Sequence, residues 1–199
     1  IRTQIQRYGV QIIQGRGKII RAQDKDTNHT HIAITDAQSN THICETRATV
    51  LSTGSRARRL PSIPFDDQHI FDSDSISGLM RRPQSLLIQG NGVIAIEYAT
   101  IFAEMGISVT MISRKPKADF LQKLDTSLAK SVLSDLQDKG IEILFECSLK
   151  GIEVQANLAH ITLEQSGQEV VKKADVVLSA IGRVPFANDL GLETLEQKE

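Results

Sequence analysis

Apolar positions change their spacing along this chain. Between Gly9 and Thr53 they come in short runs rich in β-branched residues: Val10-Gln11-Ile12-Ile13, Gly17-Lys18-Ile19-Ile20-Arg21, Thr30-His31-Ile32-Ala33-Ile34, Thr41-His42-Ile43-Cys44 and Ala48-Thr49-Val50-Leu51-Ser52. Asp24, Asn28, Ser39 and Asn40 punctuate these runs. The stretch therefore reads as an antiparallel meander whose last strand enters Thr53-Gly54-Ser55. Residues 56–84 hold no sustained period. Pro61, Pro64 and Pro83 interrupt them beside Asp66-Asp67 and Asp72-Ser73-Asp74-Ser75, so this segment reads as an irregular crossing between two domains.

Beyond the crossing the period alternates between strand and helix. Ser85–Gln89 is a short buried strand, and Val93–Glu104 follows a helical spacing that Gly106 stops. Ile107–Ile112 is the next strand. A second helix runs from about Thr126 to Lys139, capped by Asp125 and ended by Gly140, and Ile141–Phe145 gives a third strand. This order is βαβαβ, the signature of a parallel sheet covered by helices. Residues 149–171 then read as a small antiparallel excursion turning at Ser166-Gly167, and a last apolar strand, Ala174–Ile181, ends at Gly182-Arg183.

Charge narrows the classes of partner. The chain has 199 residues, 23 basic and 24 acidic, yet residues 1–60 hold ten basic against four acidic side chains and the remainder thirteen against twenty. A basic front suggests nucleic acid, but Tyr8 is the only aromatic residue there to stack on a base, so nucleic acid is not an expected partner. No run approaches the ~18 apolar residues of a membrane span, and Ile1-Arg2-Thr3-Gln4 lacks an apolar signal region, which points to the cytoplasm. Starting at Ile1 rather than Met reads as a piece of a longer protein. Cys44 and Cys147 stand far apart without a Cys-x-x-Cys pattern, so they read as structural thiols rather than a disulfide or zinc site. His29, His31 and His42 alternate with apolar residues and lack an acidic or cysteine partner at matching spacing, which suits a solvated sheet face. Asp66, Asp67, Asp72 and Asp74 lack the glycine and terminal glutamate of a calcium loop and read as capping and solvated groups.

The chemistry sits between the first strand and first helix of the βαβαβ run. Gly90-Asn91-Gly92-Val93-Ile94-Ala95 is a Gly-x-Gly-x-x-Ala turn in the position of a dinucleotide fingerprint. There Gly90 allows a tight turn, Gly92 admits a pyrophosphate to the backbone, and Ala95 keeps helix and strand close, while the helix N-terminus offers N–H groups to phosphate. An NAD site usually places a carboxylate about 20 residues further on to hold the adenosine ribose. Here Ser113 stands there, followed by Arg114, Lys115 and Lys117. Cations without a carboxylate suit a 2′-phosphate, so NADP(H) is the preferred cofactor.

These segments together resemble the middle of a flavoprotein pyridine nucleotide-disulfide oxidoreductase of the glutathione reductase and lipoamide dehydrogenase type. Ala48 to Ser55 resembles the family's segment that touches FAD, Gly90 to Ala99 its NAD(P) turn, and Ala174-Asp175 through Gly182-Arg183-Val184-Pro185 its closing motif. Within the family, Ile70 to Ile76, Glu97-Tyr98-Ala99-Thr100-Ile101-Phe102 and the carboxylate-free Ser113-Arg114 are most similar to the soluble transhydrogenase branch. Val93 departs from the aromatic residue often found there in disulfide reductases, and Phe186 from the usual asparagine.

The resemblance implies an α/β fold class: a Rossmann-type NAD(P)-binding domain, its parallel sheet carrying a small antiparallel excursion, plus a β-rich part of an FAD-binding domain. Residues 1–76 would be the partial FAD-binding domain and crossover, and residues 77–199 the NAD(P)-binding domain with its return segment. It further implies Glu97 as the catalytic-site carboxylate near the flavin. Cofactor contacts fall to Thr53, Gly54 and Ser55 for FAD and to Gly90, Asn91, Gly92, Val93 and Ile94 for the pyrophosphate. Arg114 and Lys115 would meet the 2′-phosphate, and Ala180, Ile181 and Gly182 the nicotinamide half, with Ser113 and Arg183 as further cofactor-binding residues. The intact protein, a homo-oligomer, would use NADP(H), NAD(H) and FAD and move hydride from NADPH to NAD⁺. The family's other FAD turn, redox-cysteine segment and dimer domain are not found in these residues. The alternatives are an FAD-dependent disulfide reductase and a nucleotide-binding module without catalysis.

Overall fold

In the computed structural model, which describes residues 2–20, 29–122 and 124–194, a short helix α1 (Arg2–Arg7) is followed by β1 (Arg16–Ile20), β2 (Thr30–Thr35) and β3 (Thr41–Thr46). These strands form the expected antiparallel meander with β2 central, in a register that sets Ile19 opposite Ile32 and Ile32 opposite Cys44. They belong to a compact unit of residues 1–54 and 185–199. Its return segment lies against β1, where the Ile19 amide donates to the Leu190 carbonyl at 2.7 Å. The turn expected at Asp24 and Asn28, and Arg21 before it, lie outside the described residues.

Three local expectations are corrected in this unit. Val10–Ile13 and Ala48–Ser52 form no strand. Both are rich in β-branched residues, but strand propensity is realised only against a partner edge and a buried face. Val50 is 88% exposed, and past Thr46 the chain turns away, the Thr46 hydroxyl donating to the Thr30 carbonyl at 3.2 Å. Two of the histidines do have an acidic partner: Glu45 stands opposite His31 across β2 and β3 and meets His29 Nδ1 at 2.5 Å. Even so, among the described residues no group of three or more His, Cys, Asp or Glu side chains is placed to hold a metal.

Residues 55–184 form the second unit. In order these are β4 (Ser55–Ala57), β5 (Ile70–Asp72), β6 (Ser85–Gln89), α2 (Val93–Glu104), β7 (Ser108–Ile112), α3 (Thr126–Asp138), β8 (Glu142–Leu144), β9 (Cys147–Gln155), β10 (Leu158–Gln165), β11 (Gln168–Ala174) and β12 (Val176–Ser179). β13 (Arg183–Pro185) then pairs with β4. A five-stranded parallel sheet of order β5-β12-β6-β7-β8 is its centre. The edge strand β5 corrects the irregular reading of residues 56–84. Ile70 and Phe71 are fully buried, and their pairing with Val177 and Leu178 comes from the far end of the sequence.

Alternation along the strands sorts the core into two layers. Leu86, Ile88, Val109, Met111, Val176 and Leu178 pack with Ala95, Ala99 and Phe102 of α2 and Leu136 of α3. Leu87, Ile112 and Val177 point the other way, onto Cys147, Ile152, Ala159, Ile161 and Leu163 of the antiparallel sheet β9-β10-β11. A strand buried on both faces is apolar throughout, which is why β6 and β12 carry unbroken apolar runs. Both helices end on left-handed glycines, Gly106 (φ +77°) and Gly140 (φ +74°), and Asp125 caps α3 by accepting from the Ser127 amide at 2.8 Å. No helix among the described residues is long and apolar enough to cross a membrane.

Candidate functional site

Parallel strands present their carboxyl ends along one edge, and loops leaving neighbouring strands there open a crevice. In the second unit this crevice is a cleft of about 760 Å³. The turn after β6 forms its floor, the segment after β7 one end and the segment after β12 the other. Gly90 has φ +133°, and a Cβ there would collide with the Ala180 backbone carbonyl. The same close approach is held by hydrogen bonds from the Ala180 amide to the Gln89 carbonyl (2.8 Å) and from the Gly90 amide to the Ile112 carbonyl (3.1 Å). Gly92 differs. Its φ is −84° and a Cβ would meet nothing within 4 Å, so the missing side chain leaves open space in the cleft. Gly92 is also the N-cap of α2, which no side chain caps, so the helix presents its first-turn amides and positive dipole end to the cleft. Asn91, Val93 and Ile94 complete the turn, Val93 being 62% exposed.

At the β7 end, Ser113 borders the cleft but is buried, and its polar atoms hold the loop. Its amide donates to the Leu144 carbonyl at 2.9 Å, and its Oγ accepts from the Lys115 amide at 3.1 Å. The exposed Arg114 and Lys115 are thereby fixed at the cleft wall. Three side chains lining the cleft are cationic, Arg58, Arg114 and Lys115, and none of the lining side chains is a carboxylate. That charge pattern suits a ligand with several phosphates.

The other end is set by Ala180, Ile181 and Gly182, all lining the cleft, with Gly182 at φ +117° and its carbonyl accepting from the Arg58 amide at 3.0 Å. Arg183 points away from them. Its guanidinium is bidentate to Asp74 (2.5 and 3.2 Å) and donates to the Ser55 hydroxyl (2.8 Å) and carbonyl (2.7 Å). The Arg183 hydrogen bond, with the Ala57 amide, holds the Asp74 carboxyl below its ordinary range. Glu97, one turn into α2, is exposed and lines a separate hollow of about 310 Å³ with Ser73, Ile94, Tyr98, Ile101 and Arg183. The remaining flavin-side candidates, Thr53 and Gly54, lie in the first unit. There Thr53 Oγ1 donates to the Phe186 carbonyl (2.6 Å), and the Phe186 amide donates to the Gly54 carbonyl (2.9 Å). Gly54 has φ +76° with open space where a Cβ would stand.

The sequence signals for Gly90 to Ile94, Ser113 to Lys115 and Ala180 to Gly182 thus converge on one cleft, while Glu97 and Arg183 share the neighbouring hollow. The calcium-like acids include capping groups, as read, but Asp72 is buried against Arg59 rather than solvated. Asp66 Oδ1 accepts from the amides of Gln68, His69 and Ile70, and Asp72 Oδ1 from those of Asp74 and Ser75. Arg58, Cys147, Ser148 and Leu149 also line the cleft and carried no sequence signal, because β9 and the Arg58 loop reach it only through tertiary packing.

The family model described as pyridine nucleotide-disulphide oxidoreductase matches residues 1–199. The chain belongs to this family. Its members use FAD and NAD(P)H. The soluble pyridine nucleotide transhydrogenase of Colwellia psychrerythraea is 33% identical over 186 residues, 94% of this chain and 37% of that protein. The dihydrolipoyl dehydrogenase of Bacillus subtilis is 35% identical over 159 residues, 79% of this chain and 34% of that protein. Among solved structures, LpdA from Mycobacterium tuberculosis superposes with a TM-score of 0.82 at 25% identity, covering 98% of this chain and 41% of that one. The flavoprotein disulfide reductase RclA of Escherichia coli shares the fold, with a TM-score of 0.69 at 24% identity over 92% of this chain and 39% of that one. The chain therefore spans about a third of the length of the curated relatives it matches.

Proposed function

We propose that this chain is the dinucleotide-binding middle of an FAD-dependent oxidoreductase that moves hydride between NADPH and NAD⁺. On this reading residues 77–199 bind the nicotinamide dinucleotide and residues 1–76 supply part of the FAD site and the crossover, in a cytoplasmic homo-oligomer. The observation that carries it is the cleft's charge: Arg114 and Lys115 at the β7 end, with no lining carboxylate to repel a 2′-phosphate. The 94% coverage by a transhydrogenase relative supports the same reading.

The chain's own part is binding and orientation. The open side of Gly92 and the uncapped start of α2 receive the pyrophosphate; Arg114 and Lys115 pair with the 2′-phosphate. Ala180 to Gly182, which line the cleft, would border the nicotinamide half, and Glu97, which lines the adjoining hollow, would stand on the flavin side. Bound NADPH and FAD supply the hydride chemistry itself.

The dihydrolipoyl dehydrogenase relatives favour a second reading, a disulfide reductase with a redox dithiol outside these residues. One experiment separates the two. The intact protein is reduced with NADPH, treated with a thiol alkylator and assayed for hydride transfer to an NAD⁺ analogue. Undiminished transfer is expected for the transhydrogenase, and loss of transfer only after prior reduction would replace that reading with the reductase.

A further inference from the structure

Arg58 and Arg59 are neighbours with opposite fates. Arg59 is tied outside the cleft: its Nε donates to Asp72 at 2.5 Å, its Nη2 to Asp67 at 3.1 Å, and its guanidinium lies 4.7 Å from the Phe65 ring centroid. Arg58 lines the cleft and is exposed, and among the described residues its guanidinium has no ion-pair or hydrogen-bond partner. Nearby carboxylates are already engaged, Asp72 by Arg59 and Asp74 by Arg183. Only the Arg58 backbone is fastened, through its amide to the Gly182 carbonyl at 3.0 Å.

That bond fixes the Arg58 backbone, the root of the side chain, beside Gly182. Gly182 follows β12, which flanks β6 on the side opposite β7, so Arg58 is at the far end of the cleft from Arg114 and Lys115. An unpaired guanidinium in a carboxylate-free cleft is a site for an anionic group. The adenosine 2′-phosphate belongs to the β7 end, which leaves the pyrophosphate as the only other anion of the ligand.

We propose that Arg58 is a further binding residue, gripping the phosphate on the nicotinamide side of the dinucleotide and so positioning the nicotinamide at Gly182. The inference rests on the dinucleotide reading of the cleft. It makes Arg58 indifferent to the 2′-phosphate, unlike Arg114 and Lys115.

The test compares Arg58→Ala and Arg58→Lys with the unaltered intact protein, measuring affinity for NADPH, NADH and 2′,5′-ADP, which lacks the nicotinamide half. Arg58→Ala should weaken NADPH and NADH by the same factor, about tenfold for one lost charge-assisted hydrogen bond, and leave 2′,5′-ADP unchanged. Arg58→Lys should restore part of the loss, and an unchanged circular dichroism spectrum would exclude misfolding. Unchanged NADH affinity in Arg58→Ala, or an equal loss for 2′,5′-ADP, overturns the assignment of Arg58 while leaving the cleft's reading intact. If the unaltered protein binds none of the three ligands, the dinucleotide reading fails and this inference with it.

Discussion

The two glycines of the turn after β6 resemble each other in sequence but have different physical roles, and a pair of alanine substitutions separates them. At Gly90 an added Cβ meets two penalties. The residue must keep φ +133°, which L side chains rarely adopt, and the methyl would overlap the Ala180 carbonyl, part of the backbone that follows β12, an interior strand of the sheet. Holding a non-glycine residue in a disfavoured region costs about 1–3 kcal/mol, and overpacking against a rigid neighbour about 1–3 kcal/mol more. A total near 4 kcal/mol is a large share of the roughly 5–15 kcal/mol that stabilises a domain. At about 2–4 °C per kcal/mol for a protein of this size, Gly90→Ala should lower Tm by roughly 8–16 °C. Gly92→Ala has neither penalty, since φ is −84° and the Cβ meets nothing within 4 Å. It should melt within a few degrees of the unaltered protein yet bind NADPH about tenfold more weakly, because its methyl fills the space the pyrophosphate needs. Thermal melts followed by circular dichroism, with NADPH titrations on the folded variants, read both effects. A Gly90→Ala protein with unchanged Tm would refute the close-approach argument, and a Gly92→Ala protein with full NADPH affinity would refute the role given to its open side.

Two further predictions concern titration and reactivity. Burial alone would raise the Asp72 carboxyl, but hydrogen bonds from Arg59 and the amides of Ser75 and Asp74 outweigh it and hold the group below its ordinary range, as Arg183 and Ala57 do for Asp74. A lowered folded-state pKa contributes stability that is complete above the unfolded value of about 4 and is lost as pH falls through the folded one. Tm should therefore be flat above about pH 5 and fall below pH 4, less steeply in Asp72→Asn; a Tm that rises on acidification would contradict this. Burial pushes the Cys147 thiol up, only partly offset by Lys172, and the side chain is 1% exposed. Iodoacetamide should label the less buried Cys44 first in the native protein, and equal labelling rates at pH 8 would show that Cys147 is accessible.

What the sequence disclosed and what it hid follow from the range of the forces involved. The β6-turn-α2 unit was legible because its signals are local: an apolar run, two glycines with different demands, then Ala95, Ala99 and Phe102 at helical spacing. Asp125 and Gly140 marked the ends of α3 for the same reason. β5 was hidden because three residues carry no period and Ile70 and Phe71 are strand-forming only against β12, more than a hundred positions away. Val50 and Leu51 erred the other way, with strand-like composition and no paired edge. In the site, the cations after β7 were readable by their distance from the turn. The pairing of Arg183 with Asp74, across 109 positions, was not, nor was the presence of Arg58 in the cleft.

The claim that this cleft is built for a dinucleotide carrying a 2′-phosphate is tested most directly by titrating the intact protein with NADPH and NADH at low and high salt. Arg114 and Lys115 should give NADPH roughly tenfold or greater preference at low salt, shrinking as salt rises and abolished in an Arg114→Ala, Lys115→Ala double variant. Equal affinities for the two nucleotides at low salt, or a preference that survives the double substitution, would contradict the account.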